Sequence, residues 1–165
     1  MEVAHVHVRS WQAAYRGLLP DDVLDGLRPE DRAARYTFGS ADPAQPATLV
    51  AVADGAIRGF ATTSPAGDED GPGAGQLGAL YVDPAFWGGG MGRALIEAAR
   101  AKLVAAGFEH AVLWVLSGND RAIRFYERDG WRPDGAVRRE LVWGVPVDEV
   151  RYGRRLSPEQ GPAAR

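Results

Sequence analysis

The chain of 165 residues is long enough for one domain with a sizeable core, and its 45% hydrophobic and 25% charged residues are ordinary for a globular protein. A net charge of −3 gives no reason to expect nucleic-acid binding and would attract a cationic substrate. The lack of cysteine excludes disulfides, thiolate metal sites and cysteine nucleophiles. No apolar run approaches the roughly 18 residues of a membrane span, so we expect a cytoplasmic protein without a membrane partner.

The first part of the chain predicts helices. Residues 2–15 form the first of them, and Pro20 opens a short second helix that runs to Leu27. The apolar face of the first helix consists of Val3, Val6, Trp11 and Ala14. A third helical stretch is expected over residues 29–38, followed by a loop.

The middle of the chain predicts strands. Two β-rich runs begin at Ala47 and flank Asp54-Gly55, which is a strong hairpin signal. A polar, glycine-rich connection follows, and then the run "QLGALYV" predicts a strand that stops at Asp83-Pro84.

A glycine-rich turn, "FWGGGMGR", comes directly before a helix that we expect over residues 92–106, with Gly107 as its C-terminal cap. Neither a P-loop nor a dinucleotide fingerprint fits, because the lysine of the first and the third glycine of the second are missing. Successive backbone N–H groups at a turn and a helix N-terminus point at one spot, and the helix dipole adds positive potential there. The turn therefore predicts an anion cradle, to which Arg93 would add a charge.

The remaining elements complete one domain over residues 1–156. The run "HAVLWVL" predicts a strand that is buried on both faces, and "NDRAIRFYERDG" predicts an amphipathic helix. Two final strands are expected at residues 136–143 and 145–156 with a turn at Gly144, and residues 157–165 are expected to form a disordered tail. This order of elements indicates an α/β or α+β fold around a mixed sheet.

The chain resembles the GCN5-related N-acetyltransferases (GNAT) in two motifs. The family's loop [Q/R]-x-x-G-x-[G/A] corresponds to "WGGGMG", with Gly90 and Gly92 at the two small positions. The family's N-x-x-A-x-x-F-Y-x-x-x-G-[FW] pattern corresponds to "NDRAIRFYERDGW". Trp87 replaces the usual Gln or Arg of the loop, and the strand that usually precedes the first helix is missing. Three explanations stay open: a truncated chain, a sheet without that strand, or a strand supplied by a partner chain. An unpaired edge would favour a homodimer.

The resemblance implies a mostly antiparallel sheet flanked by helices, with splayed central strands that form an acetyl-CoA cleft. In the family a bulged strand binds the acetyl oxygen and the pantetheine arm, the loop amides bind the pyrophosphate, and a tyrosine protonates the leaving thiolate. The corresponding cofactor-binding residues are Leu80, Tyr81, Val82, Trp87, Gly88, Gly89, Gly90, Met91, Gly92, Arg93, Asn119 and Tyr126. Tyr126 is the expected general acid, with a core aromatic as the alternative, and Asn119 would also serve as a helix N-cap.

The general base has no clear candidate. Some relatives carry glutamate where Gln76 stands, and members that acetylate protein N-termini often carry it where Trp114 stands. A water chain could replace the carboxylate, and Asp21, Asp22 and Glu2 are conceivable alternatives. His5 and His7 are spaced so that they cannot share a helix face, so we expect no metal site.

These expectations combine into acetyl transfer from acetyl-CoA to a small primary amine. Trp11, Tyr15, Tyr36 and Trp114 could line an aromatic acceptor pocket, although core packing is an ordinary use for such residues. A non-catalytic acyl-CoA-binding module is the alternative, because neither of the two positions at which relatives carry glutamate holds a carboxylate in this chain.

Overall fold

The computed structural model describes residues 1–33, 45–67, 69 and 71–156. The end of the predicted third helix, Tyr36 and the predicted tail at 157–165 lie outside the described residues. Among the described residues, no helix is long and apolar enough to cross a membrane. The cytoplasmic location and the single domain over 1–156 stay predictions.

Within the described residues, five α-helices and six strands follow the predicted order, and a short 3-10 helix, Pro84–Phe86, lies between β3 and α4. The helices are α1 (Glu2–Ala14), α2 (Asp21–Asp25), α3 (Glu30–Ala33), α4 (Met91–Ala105) and α5 (Asp120–Arg128). The strands are β1 (Ala47–Ala53), β2 (Ala56–Pro65), β3 (Gly75–Val82), β4 (His110–Leu116), β5 (Arg132–Val142) and β6 (Val145–Arg155).

The strands form one mixed sheet in the order β1-β2-β3-β4-β6-β5. Four of the five neighbouring pairs are antiparallel, whereas β3 and β4 run parallel and are joined by α4. The parallel pairing covers two register pairs, Gly75 with Ala111 and Gln76 with Val112. Beyond this short joint the two central strands diverge and open a cleft, which confirms the expected fold class.

Both predicted hairpin turns are present. Asp54 and Gly55 have φ values of 52° and 73°, and Trp143 and Gly144 have values of 55° and 78°. Positive φ at both central residues defines the type I′ turn, whose twist matches that of the flanking strands. Asparagine, aspartate or glycine is usual at the first of these positions, so a tryptophan at 143 is an uncommon choice.

The sheet buries apolar side chains on both faces. One face packs against α4 and α5 around Leu95, Ile96, Leu103 and Trp131, and the opposite face packs against α1 and α2 around Trp11. The helices alternate apolar and polar positions as predicted; on α5, for example, Tyr126 is buried while Arg124 and Arg128 are exposed.

Several boundaries differ from the prediction by one or two residues, and the start of β5 differs by four. The helix α4 begins at Met91 rather than Gly92, because Gly90 already caps it with φ 85°. The strand β5 begins at Arg132 rather than residue 136, and Pro133 and Gly135 lie within an irregular stretch at its start. Within the described residues α1 begins at Glu2 and β1 forms a sheet edge. The homodimer expected from such an edge stays a prediction.

Candidate active site

A cleft of about 1060 Å³ opens where β3 and β4 diverge. Ten of the twelve residues expected to bind the cofactor line it: Leu80, Tyr81, Val82, Trp87, Gly88, Gly90, Gly92, Arg93, Asn119 and Tyr126. The other two, Gly89 and Met91, are absent from the described lining, and the Met91 side chain packs towards the core beside Gly59. Two motifs that are distant in sequence therefore meet in one site.

The glycine-rich turn has the geometry of an anion cradle. Gly88 and Gly90 have φ values of 80° and 85°, and a Cβ added at either would meet no described atom within 4 Å. The space above the loop is open, and glycine is needed there for backbone conformation rather than for packing. The N-terminus of α4 follows directly, so its unpaired N–H groups and its dipole face this space.

Trp87 is fixed at the start of the loop. Its indole Nε1 donates a hydrogen bond to the carbonyl oxygen of Val82 at 2.7 Å. The guanidinium carbon of Arg121, from α5, lies 3.2 Å from the centroid of the indole ring. Arg93, by contrast, donates to Glu97 at 2.9 Å along the exposed surface of α4. The charge expected beside the cradle from Arg93 is thus paired, while Arg121 lies directly on the loop.

The described lining of the cleft is cationic although the chain carries a net charge of −3. The charged residues in this lining are Arg93, Arg100, Arg121, Arg124, Arg128, Arg154, Glu97 and Asp129. Asp129 is paired with Arg100 at 3.1 Å and accepts from the Trp131 indole at 2.9 Å. The overall charge had suggested affinity for a cation; the local charge favours an anionic ligand.

Tyr126 lies on the buried face of α5 and borders the cleft. Burial raises the pKa of Tyr126 above its ordinary value of about 10. The phenol therefore stays protonated through neutral pH and is a weaker acid than the sequence alone suggested. Burial likewise raises the pKa of Tyr15 and of Tyr81, which line the same cleft.

Asn119 caps α5. Its side-chain oxygen accepts a hydrogen bond from the backbone N–H of Ala122 at 3.3 Å, as predicted, and the residue also lines the cleft. The structure thus places it where both uses considered from the sequence remain open.

The resemblance placed the bulge of the central strand at residues 80–82, but the structure has it at Gly78, where the register between β2 and β3 shifts by one residue. Leu80, Tyr81 and Val82 pair regularly with β2 on one side, and on the other they face the opening towards β4. The Val82 carbonyl accepts a second hydrogen bond, from the Ser10 hydroxyl of α1 at 2.9 Å.

The opposite end of the cleft is aromatic. The name loop side is used below for the loop Asp83–Gly92 together with the N-terminal turns of α4 and α5. The aromatic side consists of Tyr15, Trp114, Arg138, Trp143 and Glu149. Tyr15 and Trp114 line the cleft, the Arg138 guanidinium lies 4.3 Å from the Trp114 ring, and Glu149 pairs with Arg138 at 2.7 Å.

The carboxylates considered from the sequence are remote from this site. Asp21 pairs with Arg16, while Asp22 and Glu2 are exposed on the surfaces of α2 and α1. Glu149, which the sequence analysis missed, contributes to the raised pKa values of Tyr15 and Tyr81 by its charge. Only the register between β4 and β6, which places Glu149 opposite Leu116, brings it to this face.

The two histidines of α1 lie on different faces, as predicted. His5 is exposed, whereas His7 is buried and stacks on Tyr81 with ring centroids 4.7 Å apart. Trp11 and Trp143 meet edge to face at 6.0 Å, and Arg32 lies 3.5 Å over the Trp143 ring. Trp11 is therefore a core residue.

Similar proteins place this cleft in context. A mycothiol acetyltransferase of Propionibacterium freudenreichii is 37% identical over 120 residues, covering 70% of this chain and 37% of that protein. The uncharacterized N-acetyltransferase YuaI of Bacillus subtilis is 29% identical over 154 residues, covering 92% of this chain and 85% of YuaI. The chain therefore spans well under half the length of the first of these relatives.

A solved structure shares the fold. The PaiA N-acetyltransferase of Thermoplasma acidophilum, in complex with coenzyme A, superimposes with a TM-score of 0.64 at 18% identity and covers 92% of this chain and 89% of its own. Residues 8–131 match the Acetyltransferase (GNAT) family. The chain thus belongs to the GNAT acetyltransferase family.

Proposed function

We propose that the protein transfers an acetyl group from acetyl-CoA to a primary amine by direct attack in a ternary complex. The observation that carries the proposal is the cleft itself, which joins the glycine-rich cradle and the Tyr126 phenol in one cationic site. The loop side would bind the donor's phosphates, and the aromatic side would receive the amine.

The loop side binds the donor through backbone and charge. The open glycine loop admits a bulky anion to the N–H groups of α4, and the arginines of the lining neutralise it. The diverging strands leave backbone groups of residues 80–82 facing the cleft, and their N–H groups would stabilise the negative charge on the thioester oxygen. Such a preorganised donor contributes roughly 3–4 kcal/mol in other acyl transfers.

The transfer then needs two proton movements. The amine nitrogen attacks the thioester carbon, the C–N bond forms and the C–S bond breaks. Tyr126, protonated because burial raises its pKa, donates its proton to the leaving thiolate. The proton lost by the amine leaves through water, and one proton then returns to the phenolate.

A small acceptor fits the aromatic side better than a protein N-terminus. Trp114 occupies the position where the N-terminal acetylating members often carry glutamate, and it lines the cleft with Tyr15. The 37% identical relative is named for mycothiol rather than for a protein. Equal efficiency with a peptide N-terminus and with the best small amine would contradict this assignment.

The first experiment is a calorimetric titration with acetyl-CoA, followed by thiol release with a panel of amines. Tyr126→Phe is expected to lower kcat at least about 100-fold, because it removes the proton donor, and to change the Kd for acetyl-CoA less than about threefold. Tyr152→Phe is the matched control, since Tyr152 is a buried tyrosine of the same core that the described cleft lining does not include.

Three results would overturn parts of the proposal. Similar losses in kcat and in affinity would make Tyr126 a packing residue. Binding without thiol release for any amine would favour the acyl-CoA-binding module. The lack of acetyl-CoA binding by the unmodified protein would refute the whole assignment.

A further inference from the structure

Trp87 and Arg121 form a contact that joins the two halves of the cleft. Trp87 follows β3, whereas Arg121 follows β4 and lies in the first turn of α5. The guanidinium lies 3.2 Å from the indole centroid, and both residues line the cleft beside Gly88 and Gly90. A planar guanidinium stacked on an aromatic face keeps its N–H edge free to bind an anion in the same plane.

The indole is held independently of Arg121. Its Nε1 donates to the Val82 carbonyl at 2.7 Å, and its ring packs against the core cluster under α4. The indole ring is therefore held by β3, and it forms a fixed surface on which the Arg121 guanidinium lies. Arg121 forms no ion pair within the described residues, unlike Arg93, which is paired with Glu97.

We propose that Arg121, positioned by Trp87, is the cationic ligand of the donor's diphosphate. The aromatic residue at the first loop position, where related loops carry Gln or Arg, then serves as a platform for a cation from α5. The charge at the mouth of the cradle comes from the second motif instead of the first. This inference rests on the proposed acetyl-CoA binding.

Two ligands separate the diphosphate from the other phosphate of the donor. Acetyl-CoA carries both a diphosphate and a 3′-phosphate, whereas dephospho-CoA retains only the diphosphate. Arg121→Gln is expected to weaken the binding of both ligands by the same factor, about 10- to 100-fold, as for loss of a charge-assisted hydrogen bond. A loss confined to acetyl-CoA would assign Arg121 to the 3′-phosphate and overturn the proposal, and so would unchanged affinity.

Two further variants test whether the effect needs this particular arginine and whether it needs the stacking on Trp87. Arg139→Gln removes an exposed arginine on β5, remote from the described cleft lining, and is expected to leave both Kd values unchanged. Arg121→Lys keeps the charge but not the planar stacking, so an intermediate Kd is expected. Wild-type affinity in Arg121→Lys would show that the platform is unnecessary and would overturn that part of the inference.

A double-mutant cycle tests the role of Trp87. Trp87→Leu is expected to weaken dephospho-CoA binding in the unmodified protein, and to weaken it several-fold less when Arg121 is already Gln. Additive losses would mean that Trp87 only shapes the loop, and would overturn its positioning role. If the unmodified protein binds neither ligand, the proposed function fails; if it binds both and Arg121→Gln does so equally, only this inference fails.

Discussion

The loop side and the aromatic side of the cleft differ in the kind of group that they present, backbone on one and side chains on the other. The loop side relies on backbone N–H groups, positive-φ glycines and a helix N-terminus. The aromatic side relies on side chains from α1, β4, β5 and β6, held by stacking and by the Arg138–Glu149 ion pair. A backbone site depends on a few glycines in sequence, whereas a side-chain site depends on strand register. The proposed donor site is therefore the part that a short motif can specify, whereas the proposed acceptor site depends on pairing between distant strands.

The largest expected effect breaks the loop side. Gly90→Val places a β-branched residue at φ 85° in the cradle, and we expect the affinity for acetyl-CoA to fall at least about 100-fold in calorimetry. Gly107→Val is the matched control, because Gly107 has φ 91°, equally open space and a position at the other end of α4. Both variants carry strain of roughly 1–2 kcal/mol. Equal loss of binding in both would show that strain, not the cradle, is responsible.

A smaller effect is expected from the aromatic side. Trp114→Leu removes the ring on which Arg138 stacks, and should raise KM for the best amine about 10-fold while leaving the Kd for acetyl-CoA unchanged. Steady-state kinetics and calorimetry measure the two quantities separately. A variant that lost donor affinity and acceptor affinity together would erase the distinction between the two sides.

The buried tyrosines predict a loss of stability at alkaline pH. Burial raises the pKa of Tyr15, Tyr81 and Tyr126, so each stays protonated in the folded protein at a pH where the unfolded chain has released that proton. Their contribution to stability is therefore complete below about pH 10 and is lost as pH rises towards the folded pKa, with a slope of about 1.4 kcal/mol per pH unit for each group.

Urea unfolding at a series of pH values measures this slope. Tyr126→Phe removes one of the titrating groups and should reduce the slope by up to about 1.4 kcal/mol per pH unit. The sequence contains a single lysine, Lys102, so few other groups titrate in this range. An unchanged slope in Tyr126→Phe would show that Tyr126 ionises equally in both states.

The smallest effect concerns the contact between α1 and the end of β3, directly before the loop side. Ser10→Ala removes the hydrogen bond from α1 to the Val82 carbonyl, which Trp87 also contacts, and should lower the unfolding free energy by about 1 kcal/mol. Ser117→Ala, at an exposed serine after β4, is the control and should change stability by less than about 0.5 kcal/mol. Equal changes in both variants would show that the Ser10 hydrogen bond to Val82 contributes nothing specific to stability.

Glycine spacing, the proline after β3 and the asparagine cap act locally, so the sequence predicted the turn of the loop side and the helices that follow it. The twelve cofactor-binding residues came from the family resemblance; ten of them line one cleft, and their binding roles stay predictions. The Trp87–Arg121 contact was not predictable, because it depends on how α5 lies beside the loop that follows β3. Glu149 was missed for the same reason, since antiparallel pairing with β4 brings it to the aromatic side.

The irregular parts were harder still. Pro133 and Gly135 obscured the start of β5, and the positive φ of Trp143 is a conformation that tryptophan rarely adopts. Trp143 in this conformation meets Trp11 edge to face and lies under the Arg32 guanidinium, and a local sequence pattern shows neither contact.

The short joint between β3 and β4 has a mechanical consequence. Two register pairs, at Gly75 and Gln76, connect the two three-stranded halves of the sheet. A Cβ at Gly75 would lie 2.7 Å from Leu103 of α4, so this connection is already tightly packed. Beyond these two pairs, the described residues of β3 and β4 do not pair with each other. A molecule bound between the two halves of the sheet would contact both strands, and its binding would make the protein stiffer and more stable, by an amount that keeps rising with the logarithm of ligand concentration above the Kd.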